Sequence, residues 1–294
     1  MHELSVRFRG IRALYGEEGF KKLTKCPMSW SLDAAGSVTW ITEALCRSGV
    51  GTLTLIDPDT VEIGNTNRQL HTTDLTINQY KVRALKNRLI TINPEIKIHT
   101  LEITLTKENI PEILKDCPQF IADAIDDLQA KAFLVDYLYK KNKTFIVSGG
   151  AGGRVDPGKL KIDDIANAHG DALISRLRTE LRRHYNFPKG GEKMGIFCTY
   201  SCEDPIYSDN DDADLPKFGA AMAVTASAGL LMASWLLNKM LNRLKNVNTT
   251  ILPKPKNILK HSFRNTCATK ELILMLLFHC LNPNHHDIHP SMSY

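Results

Sequence analysis

Val50-Gly-Thr-Leu-Thr-Leu-Ile-Asp57 is an apolar run that closes on an acid. That is the pattern of a parallel strand buried on both faces, whose carboxyl end opens where a ligand can reach. Upstream, residues 40–48 read as a helix, with Ile41, Leu45 and Val50 spaced for one face. Downstream, residues 78–92 form a second amphipathic helix closed by Asn93-Pro94, and residues 96–103 alternate like a strand. Phe120-Ile-Ala-Asp-Ala-Ile-Asp126 is a third strand ending in carboxylates, 129–141 is helical, and 144–148 is a fourth strand opening into Gly149-Gly-Ala-Gly-Gly153. Strands alternating with helices over about 150 residues predict an α/β fold: a doubly wound, mostly parallel sheet with helices on both faces. Residues 1–155 are read as a nucleotide-binding domain with an N-terminal helix. Residues 156–242 are its mixed, loop-rich C-terminal part, with a charged helix over 172–184 and a long apolar helix over 219–241. Residues 243–294 are read as a basic, poorly ordered tail.

The chain of 294 residues carries a formal net charge of +5. Residues 243–294 hold seven Lys or Arg against two acids, leaving thirty of the 37 basic and thirty of the 32 acidic residues in the first 242. The body is neutral, so a nucleic-acid partner does not follow from net charge. Seven cysteines without a C-x-x-C pair point to reduced thiols and argue against a structural zinc site. No apolar segment of signal-peptide length opens the sequence, so a cytoplasmic protein is expected, with organelle association left open. Residues 218–237 are uncharged and long enough to cross a bilayer. Their Ala, Ser, Thr and Gly content fits a buried core helix better, and no membrane span is expected.

In a doubly wound sheet, ligands sit beyond the carboxyl ends of the strands, where the strand order reverses. Asp57 ends one strand, where a carboxylate can hold ribose hydroxyls. Asp123 and Asp126 end another, placed to hold a metal ion or shape a reacting centre. Between them lie Asn65-Thr-Asn-Arg68-Gln69 and then Lys81. An amide, a guanidinium and an ammonium near two carboxylates suit a triphosphate. Each alone reads as a solvated loop charge; their convergence on one crevice carries the functional reading.

The running order Leu55-Ile-Asp57-Pro-Asp59, Asn65-Thr-Asn-Arg68-Gln69, Lys81 and Asp123-Ala-Ile-Asp126 resembles the ubiquitin-activating-enzyme-like adenylating enzymes. Arg7-Phe8, Leu14-Tyr15-Gly16 and Gly149-Gly-Ala-Gly-Gly-Arg-Val-Asp156 make it most similar to the tRNA threonylcarbamoyladenosine dehydratase branch. The resemblance implies ATP-dependent adenylation and cyclising dehydration of threonylcarbamoyladenosine in tRNA. It assigns ribose to Asp57, phosphates to Asn65, Arg68 and Lys81, and the magnesium-dependent centre to Asp126, with Arg68 and Asp126 as catalytic residues. It places Asp123 and Gly36 at the nucleotide and Arg12, displaced by one position, as a phosphate contact. It further implies magnesium, a monovalent cation, a homodimer built partly on the long apolar helix, and a sulfur-transfer protein as a further partner. Lys131 and Cys198 match residue types found in relatives; a buried thiol without a thioester role is the reading of Cys198.

One stretch departs from the family. Where an apolar strand should run into G-x-G-G-x-G, this chain has Pro27-Met-Ser-Trp-Ser-Leu-Asp33-Ala-Ala-Gly36-Ser-Val38, neither a buried strand nor a phosphate loop. Only Gly36 survives. A frame displaced by one nucleotide, with free third bases chosen to suit, encodes His-Val-Leu-Val-Val-Gly-Cys-Gly-Gly-Val-Gly across the same positions. Asp33 is expected to repel the triphosphate by about 4 kcal/mol for unit charges about 4 Å apart at an effective dielectric near 20. Val38 is expected to obstruct close packing where the last glycine belongs. The alternatives are therefore an activator of a ubiquitin-fold sulfur carrier, a nicotinamide oxidoreductase sharing fold and strand-end acid, and a non-catalytic member that keeps the fold.

Overall fold

The computed structural model describes residues 6–26, 36–208 and 216–242, with the backbone of 29–32. The expectations for Asp33 and for the basic tail lie outside the described residues. Seven strands form one sheet: β1 (Ser29–Leu32), β2 (Thr52–Ile56), β3 (Lys97–Leu101), β4 (Phe120–Asp123), β5 (Thr144–Ser148), β6 (Leu160–Asp164) and β7 (Phe197–Ser201). Their order is β3-β2-β1-β4-β5-β7-β6. Neighbours run parallel except β6, which runs antiparallel to β7 at the edge. The order reverses between β1 and β4, which opens a crevice beyond their carboxyl ends.

Side-chain alternation divides the core. Ile121 and Val147 face one apolar cluster, with Leu134, Leu138 and Leu177. Their neighbours Ala122 and Ile146 face the other, with Ile41, Leu85 and Leu236. The period of two along a strand dictates this split. Among the described residues seven helices accompany the sheet: α1 (Arg9–Lys25, kinked at Gly16), α2 (Gly36–Arg47), α3 (Lys81–Ile92), α4 (Ile110–Ile113), α5 (Leu128–Lys140), α6 (Ala172–His184) and α7 (Met222–Met240). The spacing of Ile41, Leu45 and Val50 is explained, since all three are buried. The α3 helix begins at Lys81, three residues later than its pattern predicts, because Asn78 takes a positive φ of 66° and Tyr80 pairs with Thr60. The apolar α7 is a core helix that buries Val224, Met232 and Leu236. Among the described residues no helix is long and apolar enough to cross a membrane.

Two expectations need correction. The stretch read as no strand forms β1, the middle of the sheet. Leu53 on β2 and Phe120 on β4 both lie opposite Ser29, so partners on each side impose the extended backbone against weak local propensity. Val38 does not obstruct packing: it is buried in the α2 core. The close approach comes from the opposite helix, where a Cβ on Gly229 of α7 would stand 2.2 Å from the Ser37 carbonyl oxygen. Strands β6 and β7 occupy a segment expected to be loop-rich; edge strand β6, Leu-Lys-Ile-Asp-Asp, is too short and charged for an apolar pattern.

At the end of β4, Asp123 and Lys131 form a wholly buried ion pair at 3.1 Å. Asp123 Oδ1 accepts the Ile125 N–H at 2.9 Å, and Lys131 Nζ donates to the Ile125 carbonyl at 2.8 Å. The pair thus holds both backbone groups of the residue before Asp126. Lys131→Met should strand a buried carboxylate and cost about 3–5 kcal/mol in urea unfolding, with part recovered on adding Asp123→Asn. A loss under about 1 kcal/mol would contradict this.

His71 is buried, and neither ring nitrogen has a protein partner. Burial first, then the Lys81 charge, lowers its pKa from 6.5 to about 4. Below pH 6.5 the unfolded chain takes up a proton that the folded chain refuses until about pH 4, so stability falls as pH falls through that window. The loss should be about 2 kcal/mol between pH 7 and pH 5. Denaturation of His71→Leu at the two pH values should show that component gone; an unchanged difference would exclude His71 as its source.

Candidate functional site

The crevice at the reversal point holds two adjoining chambers. The first, about 470 Å³, has apolar walls from Ile56, Ile103, Leu105 and Ile125 and polar groups from Asn65, Arg68, Gln69, Lys81 and Asp126. That size and mixture suit a nucleotide-sized ligand. Asn65 is fixed by a short 3-10 turn, Ile63–Asn65, where its Oδ1 accepts the Glu62 N–H at 3.2 Å. Arg68 donates to the Gly64 carbonyl at 3.0 Å and to Asn67 Oδ1 at 2.8 Å, which aims its guanidinium across the chamber mouth. Lys81, at the first turn of α3, is 6% exposed and donates to Asp59 Oδ2 at 2.7 Å. Asp59 is itself open to solvent, so it holds Lys81 where an anion can replace it.

Four carboxylates (Asp59, Glu62, Asp126, Asp127) face two cations (Arg68, Lys81) around this chamber. A triphosphate fits such a lining with a cation to offset the surplus negative charge. Asp127 Oδ1 caps α5 by accepting the Ala130 N–H at 2.7 Å, and Asp126 beside it is exposed and lines the chamber. Among the described residues no group of three or more His, Cys, Asp or Glu could hold a metal ion.

The second chamber, about 540 Å³, shares Arg68 and Asp126 with the first. Its other walls are Gly36 and Ser37 at the start of α2, Ser148 at the end of β5, Gly149–Gly152, and Phe218–Ala220 with Thr225 before and on α7. Backbone forms much of this wall because side chains do not fit: a Cβ on Gly149 would stand 2.2 Å from Asp171 Oδ2. Asp171 caps α6 through the Ile174 N–H at 3.0 Å and accepts the Gly150 N–H at 2.9 Å, fixing the glycine run. Burial raises the Asp171 pKa, against hydrogen bonds from the Ile174 and Gly150 N–H groups.

Asn65, Arg68, Lys81 and Asp126 are therefore brought together, and Gly36 joins Arg68 and Asp126 in the second chamber. Asp57 is buried beside the first chamber, its Oδ1 accepting the Asp59 N–H at 2.7 Å. Asp123 lies beneath the floor, enclosed with Lys131, and does not face either chamber. Arg12 is also elsewhere, donating through Nε to Glu17 on its own helix at 2.7 Å. Cys198 is a core thiol whose pKa burial raises. Gln69, Ser37, Ser148, Asp171 and Thr225 were not singled out from the sequence. Asp171 alone had a signal, an acid directly before an amphipathic helical pattern.

Residues 9–271 match the model of the ThiF family. Escherichia coli tRNA threonylcarbamoyladenosine dehydratase is 32% identical over 251 residues, spanning 80% of this chain and 93% of that protein. The crystal structure of the E. coli dehydratase in complex with ATP superimposes with a TM-score of 0.76, covering 81% of this chain and 95% of that one. The Haemophilus influenzae molybdopterin-synthase adenylyltransferase is 37% identical over a shorter 109 residues, 36% of this chain. A sheet that reverses between β1 and β4, a crevice gathering Asn65, Arg68, Lys81 and Asp126, and likeness over most of its length lead to one assignment: this chain belongs to the ThiF family.

Proposed function

We propose that this chain uses ATP to activate the carboxylate of threonylcarbamoyladenosine in tRNA and closes it into a ring with net loss of water. The observation that carries this reading is the sharing of Arg68 and Asp126 by two adjoining chambers. A nucleotide in the first and a carboxylate in the second would meet at those two residues. Likeness to the dehydratases over 80% of the chain selects the acceptor.

Carboxylate oxygen is a poor leaving group, and AMP is a good one. Carboxylate attack on the α-phosphorus forms the acyl-adenylate and releases pyrophosphate. The modification's urea-like group then attacks the acyl carbon, and AMP leaves. Arg68 and Lys81 would neutralise and orient the phosphates, Asn65 would fix their register, and buried Asp57 would receive ribose hydroxyls. Asp126 would hold a magnesium ion, which offsets the triphosphate charge when bound. Preorganised charge and proximity supply the rate, without a covalent enzyme intermediate. The exposed apolar residues of α7, Leu230 and Leu231 among them, would contribute to a homodimer interface.

Asp126→Ala should reduce AMP release on modified tRNA at least about a hundredfold, the scale of losing one preorganised electrostatic partner. Turnover within a few-fold of the parent would remove Asp126 from the mechanism. Parent protein that releases AMP with a ubiquitin-fold sulfur carrier but not with modified tRNA would overturn the choice of acceptor.

Nucleotide affinity tests the departure at residues 27–38. Replacing this stretch by the shifted-frame sequence should tighten ATP binding by up to about a thousandfold in calorimetric titration, the equivalent of removing about 4 kcal/mol of repulsion. Equal affinities would show that the glycine turn is dispensable here.

A further inference from the structure

The second chamber does not end at polar groups. Its wall includes Phe218, which is 48% exposed and sets one ring edge against Gly152, where an added Cβ would stand 2.3 Å from Cδ2 and 2.4 Å from Cε2. Tyr207, 59% exposed, meets Phe218 edge-on with ring centroids 6.2 Å apart and planes at 71°. Val155 and Ile206, also exposed, continue this rim along an adjoining hollow of about 330 Å³ that Tyr207 helps to line. From the reacting end outward, the order is thus Asp126 and Arg68, then glycine backbone, then an aromatic corner.

We propose that Phe218 and Tyr207 form a stacking platform for an unpaired base of single-stranded RNA. This inference rests on the reading of an RNA substrate above. Bases presented by RNA loops are held on aromatic faces, because every base offers a flat π surface whatever its edge. Two rings set near a right angle offer one face to stack on and one edge to bound the base. The glycine wall beneath lets a stacked nucleotide sit close to the backbone, so a short acidic substituent on the base can reach Asp126 and Arg68. A peptide tail bound by strand addition would engage an extended backbone edge through main-chain hydrogen bonds, a mode that does not call for paired exposed rings.

The test uses a short single-stranded RNA with 2-aminopurine at its central position, without ATP. Stacking should quench the 2-aminopurine fluorescence on binding to the parent. Phe218→Ala should weaken affinity by about 5- to 100-fold, the scale of one base–aromatic stack. Phe218→Trp should stay within a few-fold of the parent, and Tyr207→Ala should weaken binding less than Phe218→Ala. Melting temperatures within about two degrees of the parent would establish that each variant is folded, and the Trp variant carries the test if the Ala variant is not. Unquenched fluorescence, affinity indifferent to Phe218, or Trp as damaging as Ala would overturn the platform. So would Phe218-dependent binding of a carrier protein's C-terminal peptide with no RNA binding. Because no turnover is read, quenching without AMP release on modified tRNA would refute the dehydratase reading and leave the platform standing. AMP release with Phe218-independent binding would do the reverse.

Discussion

A wholly buried ammonium and carboxylate, Lys131 and Asp123, hold the place where the sheet hands over to the site. Removing two charges from water is costly, and the attraction between them offsets it only with good geometry and further hydrogen bonds. Here those bonds are spent on one residue. Both polar backbone groups of Ile125 are claimed by the pair, so the chain leaving β4 cannot relax toward either chamber. Asp126 follows directly and inherits a fixed position at the boundary. The nearby Asp127 N-cap then starts α5, which carries Lys131 back beneath the strand end. Strand, turn and helix thus close a loop through one charge pair, and a local fault there would reach Asp126.

A second constraint acts from the far side of the crevice. Gly229 on α7 permits the Ser37 carbonyl to approach, which brings the first turn of α2 against α7. Gly36, Ser37 and Thr225 consequently line the same chamber. Core packing and chamber shape are one arrangement here, with little room for one to change without the other. A chemistry that needs placement more than reactive groups suits such a scaffold. The thiol of Cys198 sits in the core, and the groups facing the chambers act through charge and hydrogen bonding.

Much of the fold was legible because its strands obey simple periodicities. Residues 50–57 and 144–148 are apolar runs bounded by polar ends, and 172–184 reads as a charged helix. The polar cluster Asn65, Arg68, Lys81 and Asp126 could be read because the strand-end rule says where such residues converge. What escaped was set by distant partners. Ser29–Leu32 has no strand signature of its own and becomes an inner strand because β2 and β4 hydrogen-bond to it from both sides. Asp123 looks like a site residue by position, and its pairing with Lys131, eight residues on, takes it out of solvent. Arg12 sits in a suitable stretch of sequence, yet it meets Glu17 across the kink at Gly16. Ser37, Ser148 and Thr225 are unremarkable residues that matter only through the chamber they enclose.

The glycine wall has a genetic consequence. A recognition surface made of side chains can drift by single substitutions, each altering one contact and leaving the frame in place. At Gly149 and Gly152 every missense change adds a Cβ, which would meet the Asp171 carboxylate at 2.2 Å or the Phe218 ring at 2.3 Å. No amino acid offers a milder step. At these two positions the chamber wall can therefore change only by remodelling the loop. Lineages carrying this loop would be expected to vary around it and inherit the loop itself intact.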